Sequence, residues 1–150
     1  MKRLTKKQTQ NMIKWMDAMM SGDYYQTATA LYVGRGYEGE KIMTAFGVAC
    51  DVLIKGRRWV PKEYGSVKAL HLPGVNVKFT TICPPMIDDL TGISSYSYLA
   101  HTLDILNDQC ADGGYSDVLA CLAVHICAVY APSMKRETAA CLRRVDAYLA

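Results

Sequence analysis

Residues 5 to 20 repeat their apolar positions at helical spacing. Met12, Met16, Met19 and Met20 recur three or four apart, with Ile13 and Trp15 beside them. Thr5 is placed to cap this helix and Gly22 to stop it. Residues 24 to 33 then change character. They are rich in aromatic and β-branched types, which suits a strand, and Gly34, Gly36 and Gly39 follow as a turn. That combination predicts a short hairpin. Helical periodicity returns over 41 to 55, where Ile42, Ala45, Phe46, Ala49 and Leu53 share a face and Gly56 ends the run. Gly47 inside it costs about 1 kcal/mol against alanine unless close packing requires it.

The second half alternates breaks and helices. Pro61, Gly65, Pro73 and Gly74 interrupt residues 57 to 82, which read as a surface excursion with one or two short strands, one of them over 75 to 82. Pro84 and Pro85 open a short helix through residue 91, and Gly92 closes it. Ser94 or Ser95 is expected to cap the next helix, which runs through Leu99, Leu103 and Leu106. A turn at Asp112-Gly113-Gly114 leads to Ser116, the expected cap of an apolar helix over 117 to 130. Pro132 ends that helix. Ser133 starts the last one, with Thr138, Leu142, Val145 and Leu149 as its stripe. The whole predicts one domain over residues 1–150, mainly α with a small β component (α+β). Five to six helices would pack on a short hairpin or small sheet.

Composition narrows the function classes. Half of the 150 residues are hydrophobic, which excludes a disordered chain. The formal net charge of +3 permits anionic partners without demanding them. The charge is uneven, since Lys2, Arg3, Lys6, Lys7 and Lys14 all precede the first acidic residue, Asp17. That start reads as a solvated helix face or as a contact for phosphate or an acidic partner. No apolar stretch follows it as a signal peptide would require, and the longest apolar run, 118 to 131, is too short to span a bilayer. The expected location is the cytoplasm, with no membrane contact. The six cysteines fit reduced, buried thiols in such a compartment.

The chain resembles a family of small bacteriophage-encoded proteins that has no assigned reaction. Four segments carry the likeness over roughly residues 12 to 127. They are Trp15 with Ser21-Gly22-Asp23-Tyr24 and Gln26-Thr27; Gly47-Val48-Ala49-Cys50-Asp51-Val52 with Trp59; Pro84-Pro85-Met86-Ile87 with Leu90-Thr91-Gly92-Ile93-Ser94; and Leu106-Asn107-Asp108 with Tyr115. The resemblance implies phage origin, a mainly helical mixed fold and the host cytoplasm as its setting. The family pattern has paired cysteines before the Gly-Val segment, where Ala45 and Phe46 stand here, and helix 133 to 149 extends past the usual end.

Few residues point to chemistry. Cys121 and His125 share a helix face but lack the further ligands of a zinc site, and their apolar surroundings raise a thiol pKa. Asp104 and Asp108 also share a face, without the spacing of a calcium loop. No phosphate-cradling glycine loop and no Gly-x-Ser-x-Gly elbow is present. The best ligand-facing cluster is Lys55, Arg57, Arg58 and Trp59, with His71 in the same irregular stretch. Guanidinium forks suit phosphate and carboxylate, and an indole offers a stacking face. Cations past a helix C-terminus also complement its dipole.

The leading expectation is a phage-encoded accessory protein that binds a host or host-defence protein, with no catalytic residue, cofactor or metal of its own. One alternative is a binder of an anionic small molecule, nucleotide or nucleic acid. Another is a small metal- or thiol-dependent enzyme. Ten tyrosines and eight methionines suit interfaces, so a homo-oligomer through Tyr148 and the last helix is also expected.

Overall fold

A computed structural model describes residues 2–62, 67–109 and 114–150. Among these it contains six α-helices and a five-stranded mixed sheet, an α+β fold. The expected turn residues Asp112 and Gly113, the sixth cysteine (Cys110) and Gly65 lie outside the described residues. No described helix is long and apolar enough to cross a membrane.

Helix α1 (Lys6–Met20) is the scaffold. Thr5 caps it as expected: its hydroxyl accepts from Gln8 N, and the Gln8 side chain accepts from Thr5 N. Met12, Trp15, Met16 and Met19 are fully buried, so the methionine stripe is core. The Trp15 indole donates to Ala45 O at 2.9 Å, which satisfies its one polar atom inside that core.

The first strand region differs from expectation. Residues 24 to 33 form two strands, β1 (Tyr24–Gln26) and β2 (Tyr32–Arg35). Between them Thr27 and Thr29 bond each other's hydroxyls, and Asn107 Nδ2 donates to Thr27 O, so side chains meet part of the hydrogen bonding that a continuous strand would take from a ladder. The expected helix 41 to 55 is shorter for a related reason. Lys41–Met43 is a strand, β3, and Thr44 caps α2 (Ala45–Leu53) by accepting from Gly47 N. β3 pairs with β2 antiparallel across the 36–40 turn and with β1 parallel. Ile42 therefore belongs to the sheet. Gly47 has the close-packing reason anticipated for it: a Cβ there would lie 2.0 Å from Leu31 O.

The excursion supplies β4 (Arg58–Pro61) and β5 (Lys68–His71), giving the order β1-β3-β2-β5-β4. The strand expected over 75 to 82 is reduced to one bridge, Leu70 to Phe79. Val77 and Ile82 are exposed, so this stretch has no buried face to hold a second pairing.

The remaining helices are α3 (Met86–Thr91), α4 (Tyr98–Gln109), α5 (Ser116–Val129) and α6 (Lys135–Leu149). Gly92 ends α3 in the left-handed region, as expected. The serine caps are redistributed. Ser97, rather than Ser94 or Ser95, accepts from Ala100 N at the start of α4. Ser116 is the first residue of α5 instead of its cap, and Ser133 sits in a 3-10 turn, Pro132–Met134, before α6. α1 packs on α2, α3, α5 and α6, and its long contact with α6 carries the Arg144–Asp17 ion pair at 2.9 Å.

Candidate functional site

The site forms around one carboxylate. Asp51 lies in the last turn of α2, where a negative charge meets the negative end of the helix dipole. It is also 3% exposed. Both facts disfavour an ionised carboxyl, yet five donor atoms converge on it. Oδ2 accepts from Tyr24 Oη and Lys41 Nζ, each at 2.8 Å. Oδ1 accepts from Arg57 Nη2 at 2.9 Å, Arg57 Nε at 3.1 Å and Trp59 Nε1 at 3.0 Å. A carboxylate offers about four lone-pair sites, so its capacity is filled. Burial alone would raise the Asp51 pKa. The hydrogen bonds from Lys41, Trp59 and Tyr24 and the charge of Arg57 outweigh it and hold the group at about 2. Burial and the bond to Asp51 push the Tyr24 phenol up, so it remains a donor.

Local geometry explains how these residues meet. β1 and β3 are parallel neighbours, with Tyr24 opposite Lys41, so both reach the same end of α2. Arg57 and Trp59 are two apart along an extended chain and turn to the same side. Arg58, between them, turns the other way and pairs across the ladder with His71.

The expected cluster is therefore divided. Arg57 and Trp59 meet at Asp51, and Lys55 lies in the same groove. Arg58 and His71 sit together on the other face of the β4–β5 ladder. Trp59 does not offer the expected stacking face: its ring packs edge-on against Tyr32 at 5.3 Å and 84°, and its N–H is committed to Asp51.

A groove of about 1030 Å³ opens over the Asp51 centre. α1 contributes Lys7, Gln10, Asn11 and Lys14; α2 and its exit contribute Asp51 to Lys55; α3 contributes Met86 and Leu90. Lys7 and Lys14 are seven apart, two turns along one helix face and about 10 Å from each other. The groove is lined by five cationic side chains and one carboxylate, a formal excess of four, larger than the net charge of the whole chain. Lys7 and Lys14 belong to the basic start noted in the sequence, whereas Lys2, Arg3 and Lys6 do not line the groove. Asp51, Tyr24 and Lys41 lie outside the cluster expected from the sequence. Tyr24 and Asp51 do stand in the motifs that carry the family resemblance, as does Trp59.

A neighbouring hollow of about 680 Å³ shares Tyr24 and Lys41 but adds Asp23, Glu38 and Glu40, so it lacks the cationic excess. On the far side of α2 a cavity of about 330 Å³ is lined by Asp88, Asp104, Asp108 and Cys83, with Asn107. Burial and the nearby Asp108 raise the Asp104 pKa. His125 Nε2 is buried without a hydrogen-bond partner and burial lowers its pKa; Cys121, four residues before it, has its pKa raised by burial. No group of three or more His, Cys, Asp or Glu side chains among the described residues is arranged to hold a metal ion. Of the described cysteines Cys50 and Cys141 are buried, Cys83 and Cys121 are partly so, and Cys127 is exposed, which departs from the expected set of buried thiols.

No family model, curated protein or solved structure matches this chain.

Proposed function

We propose that the protein acts by binding, and that it takes a phosphate-bearing ligand in the basic groove beside Asp51. The observation that carries this reading is the pairing of cationic excess with a saturated carboxylate. Asp51 holds Lys41 and Arg57 in place while leaving their side chains 26% and 30% exposed to the groove. Cations fixed before the ligand arrives lose less side-chain freedom on binding. Lys7, Lys14 and Lys55 add charge along the walls. The volume suits a nucleotide or something longer, and Met86 and Leu90 supply an apolar side for the uncharged part of such a ligand.

The accessory-protein reading, in which a phage-encoded chain engages a host or defence component in the host cytoplasm, rests on the motif resemblance. It is compatible with the same groove, since an acidic group on that component would meet the same cations.

The test is titration with ATP and with a short single-stranded oligonucleotide at several salt concentrations. Affinity should fall steeply as salt rises. Lys7→Glu plus Lys14→Glu, which leaves the Asp51 centre intact, should weaken binding at least about tenfold, roughly 1.4 kcal/mol. Absence of binding to either ligand at low salt would overturn the reading. So would binding that survives this double reversal but is lost with Arg58→Ala plus His71→Ala, which would move the site to the other face of the ladder.

A further inference from the structure

We infer that Cys50 and Cys83 form a dithiol pair that can be joined into a disulfide, a covalent modification site linking α2 to the start of α3. Their Sγ atoms are 3.8 Å apart, in contact across 33 positions of sequence. A disulfide needs about 2.05 Å, so the two sulfurs must close by about 1.8 Å. Cys83 is partly exposed and lines the 330 Å³ cavity, whereas Cys50 is fully buried behind it. That difference sets the order of the chemistry.

The oxidant is a low-molecular-weight disulfide such as oxidised glutathione. The Cys83 thiolate attacks one of its sulfurs, forms a mixed disulfide and expels the first thiolate. The Cys50 thiolate then attacks Cys83 Sγ and expels the second. Two protein thiols lose two protons and two electrons, and the oxidant becomes two thiols. Cys83 is slow to start this at neutral pH. The hydrogen bond with Cys50 raises its pKa first, burial second, and the carboxylates of Asp88 on α3 and Asp104 on α4 add to the effect, with Asp108 in the same cavity. The rate should therefore climb about tenfold per pH unit through the mildly alkaline range.

The product would clamp both ends of the β4–β5 excursion. It would also tie together α2 and α3, two of the walls of the basic groove, although the pair stands on its own geometry whatever that groove binds. Closing a loop of this length restrains the unfolded chain and should raise Tm by about 8 °C.

The experiment treats the full chain with oxidised glutathione at mildly alkaline pH, blocks remaining thiols and maps the linked peptides by mass spectrometry. The expected result is a loss of two hydrogens, a peptide joining Cys50 to Cys83, and a Tm rise that a reductant reverses. Cys83→Ser should abolish all three and Cys127→Ser none. A persistent glutathione adduct on Cys83, links confined to other cysteines, or two thiols that remain fully blockable in the folded protein would each overturn the inference.

Discussion

Asp51 and Asp104 lie on opposite sides of the α2 region, each lining a cavity, and they respond to burial in opposite ways. Both lose solvation, which by itself raises a carboxyl pKa. Asp51 is the more deeply buried, yet it is the one held low, at about 2. The difference lies in the partners. Asp51 collects Lys41, Arg57, Tyr24 and Trp59, whereas Asp104 faces Asp108, with His101 only partly offsetting that repulsion. Burial sets the size of the stake, and the donors set its sign. One cavity is thereby lined with ordered cations around a carboxylate that cannot protonate at neutral pH. The other sets Asp104 beside a second carboxylate, Asp108, with no cation bound to it among the described residues.

The largest test removes Asp51. Asp51→Ala leaves Lys41 and Arg57 without their counter-charge and two other donors, Tyr24 and Trp59, facing nothing. Breaking a buried ion pair costs about 3–5 kcal/mol, and the partial exposure of the cations places this case at the lower end, near 3 kcal/mol, or about 9 °C in Tm. The pH dependence has a definite sign. Asp51 is depressed from its ordinary 3.8 to about 2 on folding, so its contribution is complete above the higher value and is lost as pH falls toward the lower. The amount at stake across that window is about 2 kcal/mol. Thermal melts of both proteins from neutral pH to about pH 2 should therefore draw together toward the acid end, where most of the difference is lost. Parallel curves would show that Asp51 contributes nothing through its charge.

A smaller effect comes from removing one donor at a time. Tyr24→Phe and Trp59→Phe each delete one hydrogen bond to a charged acceptor, worth about 1.5–3 kcal/mol. Lys41 and Arg57 still satisfy the carboxylate, so the cost should sit at the lower end of that range. Each variant should also move the acid limb of the melting curve upward in pH. If either variant left stability and acid limb both unchanged, the centre would reduce to its two ion pairs.

How far this contrast could be read from the chain depends on the range of the interactions. Local rules located the helices, because capping and periodicity act within a few residues: Thr5 with Gln8, the Met12–Met19 stripe and Gly92 stand where spacing put them. The same rules misjudged residues 41 to 43. Their apolar position Ile42 extends a helical pattern, but tertiary pairing with β1 and β2 claims them for the sheet. The basic cluster was half legible. Its residue types were right, but strand alternation sends Arg57 and Arg58 to opposite faces, and no composition rule says which neighbour will be buried. Asp51 left no local signal as a centre, since its partners come from three separate segments. Lys7 and Lys14 were visible as charge, but their facing Lys41 and Arg57 is a fact of topology.

The smallest effect sharpens the comparison most directly. Asp104→Asn keeps the shape of the side chain and removes the charge that burial and Asp108 disfavour. The Asp104 pKa is raised on folding, so its ionised form costs stability at neutral pH, and that cost disappears as pH falls. Asp104 is solvent-exposed, so the gain from the substitution should stay below about 0.5 kcal/mol. Its value lies in the slope. In the native chain the stability that Asp104 regains on acidification partly hides what Asp51 loses. Asp104→Asn should therefore be slightly more stable at pH 7 and show a steeper acid limb, whereas Asp51→Ala should be less stable and flatter. Thermal melts of the two variants on one pH series separate these outcomes. If Asp104→Asn were destabilising at neutral pH, its carboxylate would be accepting hydrogen bonds that outweigh the repulsion from Asp108, and the contrast between the two cavities would fail on the acidic side.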